Sequence, residues 1–296
     1  MKKIIINISI FSIPILLFFI STLIFYCFTK TEFESKLNEF SDYQCLLMGD
    51  SQIQRLDGEL ISEKTKNIAS ASEHYYFTYQ KLLKIIKNKN HKIDKIILGV
   101  SIHNFAPVFN RLYDIDFPEG KNSLVKYLYF IRIFDDSDFA TNFDQLLKPL
   151  ISGIYNTPDW GGFGESTNSN PNLEIINRTF NMHYSIKQKE AKFSYSQRTY
   201  LYKIDSLCTE NNIDLILVST PYHFRYKEKI DASYFVFFSE TLSRLNHRYH
   251  LNYMDDKIDP SFMSDANHLN KFGAKIYSKI IKKEIEARTH KSGYKK

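Results

Sequence analysis

Apolar and polar positions along the chain predict strands that alternate with helices. Five short apolar runs are typical of strands, and the longer ones have the continuous apolar character of strands covered on both faces. These runs lie at 43–48, 67–70, 95–100, 213–219 and 251–254. Together with the intervening helical segments they predict an α/β fold with a doubly wound, mostly parallel five-stranded sheet.

Helical spacing of apolar residues marks the segments between and after these strands. The predicted helices lie at 74–87, 192–211, 232–248 and 271–287, and Asn270 is the expected N-cap of the last one. About ninety residues, at about 105–193, separate the third and fourth strands. This insertion is too long for a single crossover helix, and we expect it to form a lid.

The N-terminus carries an uncharged apolar stretch at 4–28, which is long enough to cross a bilayer as a helix. A cleaved signal peptide and a lipoprotein signal are the alternatives, but both need small residues before the cleavage site, and the bulky residues before Cys27 favour an uncleaved anchor. Lys2 and Lys3 precede the stretch, so the positive-inside tendency places the N-terminus in the cytoplasm. We therefore expect a single-pass protein of the cytoplasmic (inner) membrane whose working domain is extracytoplasmic or periplasmic.

The domain organisation follows from these segments. We expect an anchor with a short cytoplasmic end at 1–30, a juxtamembrane linker or helix at 31–42, one domain at 43–288 and a basic tail at 289–296.

Composition excludes several classes of function. The net charge is +6, but the lysines are spread along the chain instead of forming a basic and aromatic track, so nucleic acid is not an expected partner. Three cysteines do not indicate a disulfide framework. The sequence lacks an H-E-x-x-H motif and the glycine patterns of nucleotide-binding loops, so we expect no metal and no cofactor.

Polar residues follow directly after several predicted strands. Ser51, Ser70, His103, Asn104 and the segment 220–223 occupy such positions, and the carboxyl ends of parallel strands meet at one edge of a sheet. Asp265 and His268 lie just before the last helix. A serine hydroxyl, an imidazole base and a carboxylate that orients the base are the parts required for acyl transfer through a serine nucleophile.

The motifs Gly49-Asp50-Ser51, after the first strand, and Asp265-Ala266-Asn267-His268, before the last helix, resemble those of the SGNH or GDSL hydrolase superfamily. The resemblance implies a flavodoxin-like SGNH fold and a Ser51, His268 and Asp265 triad. It also implies an oxyanion hole formed by Ser51, the backbone N–H of Ser70, and a side chain of the third block. His103 and Asn104 remain alternatives for that side chain.

Three further residues are candidates for substrate binding. Tyr222 and His223 follow the fourth strand and are expected to line an acyl or sugar pocket, although an ordinary turn explains them equally well. Trp160 lies in a glycine-rich stretch and is a candidate for stacking on sugar rings, the alternative being a loop held in place by its tryptophan.

These observations favour a membrane-anchored serine esterase or O-acyltransferase. The expected substrates are O-acyl, above all O-acetyl, esters of cell-envelope or exported polysaccharide, with possible protein partners in an envelope polysaccharide pathway. Hydrolysis and transfer share every step up to the acyl-serine and remain open. The alternatives are a non-catalytic carbohydrate-binding or assembly subunit and a membrane-surface lipase or lysophospholipase.

Overall fold

The computed structural model describes residues 2–131, 157–168, 171–187 and 190–292. Much of the insertion expected to form a lid, 132–156, and the end of the basic tail, 293–296, lie outside the described residues. Residues 289–292, which the sequence analysis assigned to the tail, continue the last helix, which ends at Ser292.

A five-stranded sheet forms the centre of the protein, and all its strands are parallel. The strand order is β2-β1-β3-β4-β5. The strands are β1 (Cys45–Met48), β2 (Thr65–Asn67), β3 (Lys95–Gly99), β4 (Asp214–Ser219) and β5 (Tyr249–Asn252). The predicted α/β class and the five-stranded parallel sheet are confirmed.

Helices connect the strands and precede the sheet. They are α1 (Lys2–Glu39), α2 (Ser51–Gln54), α3 (Gly58–Ile61), α4 (Tyr75–Lys87), α5 (Val108–Tyr113), α6 (Pro118–Tyr127), α7 (Leu173–Tyr184), α8 (Tyr195–Glu210), α9 (Phe224–Lys227), α10 (Ala232–Leu242) and α11 (Lys271–Ser292). Short 3-10 helices lie at Phe40–Asp42, Ile102–Phe105 and Pro260–Phe262.

Apolar side chains cover both faces of the sheet. Leu46 and Met48 of β1 point to one buried cluster, whereas Cys45 and Leu47 point to the other. This alternation is the period of two that a strand imposes. The sheet is therefore a central layer between two cores, which explains the continuous apolar runs in the sequence.

The strand order reverses between β1 and β3, because the chain leaves β1 for β2 on one side and later enters β3 on the other. Open parallel sheets bind ligands beyond the carboxyl ends of the strands at such a reversal. Ser51 follows β1 and the Ile102–Phe105 turn follows β3. The topology thus brings two of the predicted motifs to the same crevice.

Several element boundaries differ from the sequence prediction. The second strand is Thr65–Asn67 and not 67–70, and α10 ends at Leu242 and not at 248. The start of α11 agrees with the prediction: Asn270 Oδ1 accepts hydrogen bonds from the N–H groups of Phe272 and Gly273, at 3.0 and 3.1 Å.

The N-terminal helix is long and apolar enough to span a membrane. Helix α1 continues to Glu39, so most of the residues predicted as a juxtamembrane linker or helix are helical. Phe33 and Phe40, beyond the apolar stretch, are buried against Trp160 with ring centroids 4.9 and 4.8 Å away. The segment 31–42 therefore contributes side chains to the core of the domain.

Candidate active site

Ser51 opens helix α2 directly after the turn that ends β1. That turn requires a glycine, because Gly49 has a φ of +124° and a Cβ there would lie 3.2 Å from the backbone nitrogen of Gly99. The close approach to β3 sets the position of the following serine. Ser51 Oγ lies 2.7 Å from His268 Nε2, within hydrogen-bond distance.

Asp265 binds the other nitrogen of the same imidazole. His268 Nδ1 lies 2.9 and 2.8 Å from Asp265 Oδ1 and Oδ2. Oδ1 also accepts the backbone N–H groups of Asn267 and His268, both at 3.0 Å. Burial acts to raise the pKa of Asp265, but the charge of His268 and these hydrogen bonds lower it to about 2. Asp265 is therefore ionised at neutral pH and holds the ring with Nε2 toward Ser51.

Gln52, which the sequence analysis did not single out, connects three parts of the site. Its Nε2 donates to the carbonyl oxygen of Asn267 at 2.9 Å, and its Oε1 accepts from Ser101 Oγ at 2.5 Å. One buried side chain thus joins α2 to the histidine loop and to the turn after β3.

The site has a second carboxylate, Asp50, which is buried and only 3% exposed. Its Oδ1 accepts the N–H of Gln52 at 3.0 Å and caps α2, while Oδ2 lies 2.9 Å from His103 Nε2 and 2.7 Å from Asn104 Nδ2. Burial acts to raise the pKa of Asp50, but the neighbouring His103 and the hydrogen bonds lower it to about 2.

His103 and Asn104, the two candidates for the oxyanion donor after β3, differ in whether an N–H is left for a ligand. Both ring nitrogens of His103 are engaged, Nε2 with Asp50 and Nδ1 with the Tyr222 hydroxyl at 3.0 Å. The amide of Asn104 carries two N–H bonds and donates one to Asp50. Asn104 therefore retains an N–H for a ligand, whereas His103 would have to give up an existing bond.

The backbone N–H of Ser70, expected to contribute to the oxyanion hole, is engaged in a hydrogen bond within the protein. Its backbone N–H donates to the carbonyl oxygen of Gly49 at 3.0 Å, because the ladder between β1 and β2 continues past the end of β2. Ser70 Oγ donates to Asp159. The following turn places Ser72 at a φ of +58°. Among the described residues, the N–H groups of Ser51, Ala71 and Ser72 have no hydrogen-bond acceptor.

Trp160 is not placed to stack on a sugar ring. It is 5% exposed, and its ring packs against Phe33, Phe40 and Phe130. These ring contacts hold the loop in place through its tryptophan.

Tyr222 and His223, the substrate-binding candidates that follow β4, differ in their surroundings. Tyr222 is buried and its hydroxyl contacts His103. His223 caps α9, its N–H donates to the carbonyl oxygen of Ala266 at 3.0 Å, and its side chain lines a cavity of about 850 Å³. Apolar side chains contribute much of that lining, and Ser51, Asp265 and His268 are not among the described lining residues.

The structure adds His183, which the sequence analysis missed. It lies on α7 within the insertion, and its ring stacks on His103 with centroids 5.0 Å apart. Burial, and then the nearby His103 and His268, lower the pKa of His183 well below the ordinary value for histidine. No sequence motif marks this residue, because only the packing of α7 brings it against His103.

The described residues contain no group of three or more histidine, cysteine, aspartate or glutamate side chains arranged to hold a metal ion. In comparisons with known proteins, no family model matches the chain, and no curated protein matches it either.

Proposed function

We propose that this protein is a serine esterase or O-acyltransferase of the SGNH type. The observation that carries the proposal is the line of hydrogen bonds from Ser51 Oγ to His268 Nε2, at 2.7 Å, and from His268 Nδ1 to Asp265, at 2.8 Å. A serine next to an imidazole that a carboxylate orients has the parts of an activated nucleophile. The strand order 2-1-3-4-5 is also that of flavodoxin-like sheets.

In the first half of the reaction, Ser51 Oγ forms a bond to the ester carbonyl carbon while His268 Nε2 takes the hydroxyl proton. The tetrahedral adduct then loses its alcohol, which receives that proton from His268 as the ester C–O bond breaks. In the second half, water or a sugar hydroxyl attacks the acyl-serine, and His268 acts as base again. Asp265 stays ionised and stabilises the imidazolium in both halves.

The oxyanion of the adduct needs hydrogen-bond donors beside Ser51. The free N–H of Ser51, the second amide hydrogen of Asn104 and an N–H of the Ala71-Ser72 turn all lie at the same edge of the sheet. Donors that are already fixed by other hydrogen bonds cost no reorganisation during the reaction.

We assign O-acetyl esters of cell-envelope or exported polysaccharide as the substrate class. The apolar helix α1 supports a membrane-anchored enzyme, and the lysines before it support an extracytoplasmic domain. The large cavity beside His223 does not include the triad residues among its described lining, which favours a short acyl group at Ser51.

Labelling with a fluorophosphonate tests the activation of Ser51. The full-length protein in detergent is expected to be labelled at Ser51 and to hydrolyse 4-nitrophenyl acetate, and Ser51→Ala is expected to lose both reactions. Ser70→Ala is the matched control, because it removes a hydroxyl from the same sheet edge and keeps the backbone. A folded wild type that is not labelled would instead favour the non-catalytic carbohydrate-binding or assembly subunit.

A lipase or lysophospholipase is the second candidate, favoured by the cavity of about 850 Å³ that Phe224, Ile230 and Phe235 line. One of its lining residues, His223, donates its backbone N–H to Ala266 of the histidine loop, so the cavity lies beside the site. Rates on 4-nitrophenyl esters of increasing chain length separate the two functions: a preference for acetyl supports the polysaccharide esterase, and a preference for long chains supports the lipase.

A further inference from the structure

His183 is 6% exposed and lies against His103, in the turn after β3 that also carries Asn104. Its Nδ1 lies 2.6 Å from the Tyr226 hydroxyl, and its ring stacks on His103, the partner of Asp50. The charges of His268 and Asp265 both act on it, so it is within electrostatic range of the reacting groups. The ring is thus fixed on one edge by α9 and on one face by the turn after β3.

The other ring nitrogen, Nε2, has no hydrogen-bond partner among the described residues, and it is not sealed from solvent. Since solvent reaches Nε2 and the described protein groups do not bond it, water or a ligand polar group supplies its hydrogen bond. Burial and the neighbouring histidines favour the neutral ring. A neutral imidazole offers one N–H donor or one lone pair at Nε2, depending on the tautomer.

We propose that His183 Nε2 binds a hydroxyl group on the alcohol side of the substrate, so that the enzyme selects esters of polyhydroxylated alcohols such as sugars. This inference rests on the proposed function and names the part of the substrate that the site recognises.

The chemistry of the nitrogen selects this ligand class. A hydroxyl both donates and accepts, so it satisfies either tautomer of His183, whereas a carboxylate or phosphate can only accept. An anion would also be disfavoured next to the ionised Asp50 and Asp265. An apolar acyl chain would leave Nε2 without a partner, so a hydroxyl-bearing alcohol fits this position better than the acyl group does.

The test compares two acetate esters of similar size. Glycerol monoacetate carries free hydroxyls, and its di-O-methyl ether carries none. Wild type is expected to prefer the first. His183→Phe is expected to lower kcat/KM for glycerol monoacetate by about 10- to 100-fold, since the substrate hydroxyl would lose its hydrogen-bond partner. Turnover of the dimethyl ether and of 4-nitrophenyl acetate, and fluorophosphonate labelling of Ser51, are expected to stay within about twofold.

Two further variants separate recognition from packing. His183→Gln keeps hydrogen-bonding atoms and is expected to recover part of the preference, and Met182→Ala, an exposed neighbour on α7, is expected to match wild type. The inference is overturned if wild type shows no preference between the two esters, or if His183→Phe lowers all three activities equally. If Ser51 of wild type is not labelled by the fluorophosphonate, the proposed function is wrong, and this inference, which depends on it, is wrong as well.

Discussion

Asp50 binds three groups of the site at once. It caps the helix that begins with Ser51, and it accepts hydrogen bonds from both His103 and Asn104. Because Asn104 Oδ1 also accepts the N–H of Ser101, the amide has one orientation in this network. The neighbour of the nucleophile thereby orients the proposed oxyanion donor.

Single substitutions separate the two residues after β3. Asn104→Ala is expected to lower kcat on 4-nitrophenyl acetate by about 10²- to 10³-fold with little change in KM, because an oxyanion donor acts mainly in the transition state. His103→Gln keeps a donor for Asp50 and is expected to lower kcat by less than about tenfold. The opposite order of the two effects would assign the donor role to His103.

The low pKa of Asp50 predicts acid sensitivity. Its folded pKa of about 2 is below the ordinary 3.8, so the ionised form stabilises the fold above about pH 4, and this stabilisation is lost as the pH falls toward 2. The shift corresponds to about 2 kcal/mol. Urea unfolding of Asp50→Asn between pH 5 and pH 2.5 is expected to show a weaker pH dependence than wild type. Equal pH dependences would contradict the assigned shift.

The sequence was sufficient to place Ser51, Asp265 and His268 near one another, because each lies beside the end of a recognisable strand or helix. For Ser70 and His183, the sequence was not sufficient to predict the surroundings. The hydrogen bond of the Ser70 N–H depends on how far the ladder runs beyond β2, and the position of His183 depends on how α7 packs. Neither property leaves a periodic pattern or a motif.

At the scale of elements, a buried ion pair connects three segments beside the Ala71-Ser72 turn. Glu73 and Lys81 have fully buried side chains, with Lys81 Nζ 2.6 Å from Glu73 Oε2. Lys81 Nζ also donates to the carbonyl oxygens of Ile68 and Trp160, both at 3.2 Å. The pair therefore ties α4 to the end of β2 and to the tryptophan loop.

Breaking this pair is expected to destabilise the domain. Lys81→Met leaves Glu73 without a cationic partner in the core, which costs about 3–5 kcal/mol. The double variant with Glu73→Gln removes the unpaired charge and is expected to recover part of that loss. Urea denaturation measures both free energies of unfolding, and a double variant no more stable than Lys81→Met would contradict this account.

The second strand illustrates what an apolar run predicts. The run at 67–70 suggested the strand, but β2 is the more polar Thr65–Asn67. Ile68 N and Ser70 N still donate to Leu47 O and Gly49 O, so the apolar residues extend the ladder into the turn. Burial produced the sequence signal, whereas the strand boundary depends on hydrogen bonds that side-chain polarity does not reveal.

At the scale of the whole molecule, helix α1 joins the apolar N-terminal stretch to the domain as one continuous helix. Tyr26 stacks on Tyr129 at 6.4 Å, and the Thr29 and Tyr129 hydroxyls are hydrogen bonded. Phe33 then packs on Trp160, whose neighbour Gly162 donates its N–H to Ala69 O. A polar segment at 31–42 was visible in the sequence, but its role in the core depends on the partner Trp160, more than a hundred residues away.

Trp160 is the only tryptophan, so its fluorescence reports on this junction directly. In full-length protein in detergent, its burial predicts emission at short wavelength and weak quenching by acrylamide. The double variant Phe33→Ala and Phe40→Ala removes two of the rings around it and is expected to shift the emission to longer wavelength and increase quenching. Phe163→Ala, an exposed residue of the same loop, is the matched control and is expected to match wild type. Unchanged emission in the double variant would contradict the packing of Phe33 and Phe40 on the tryptophan.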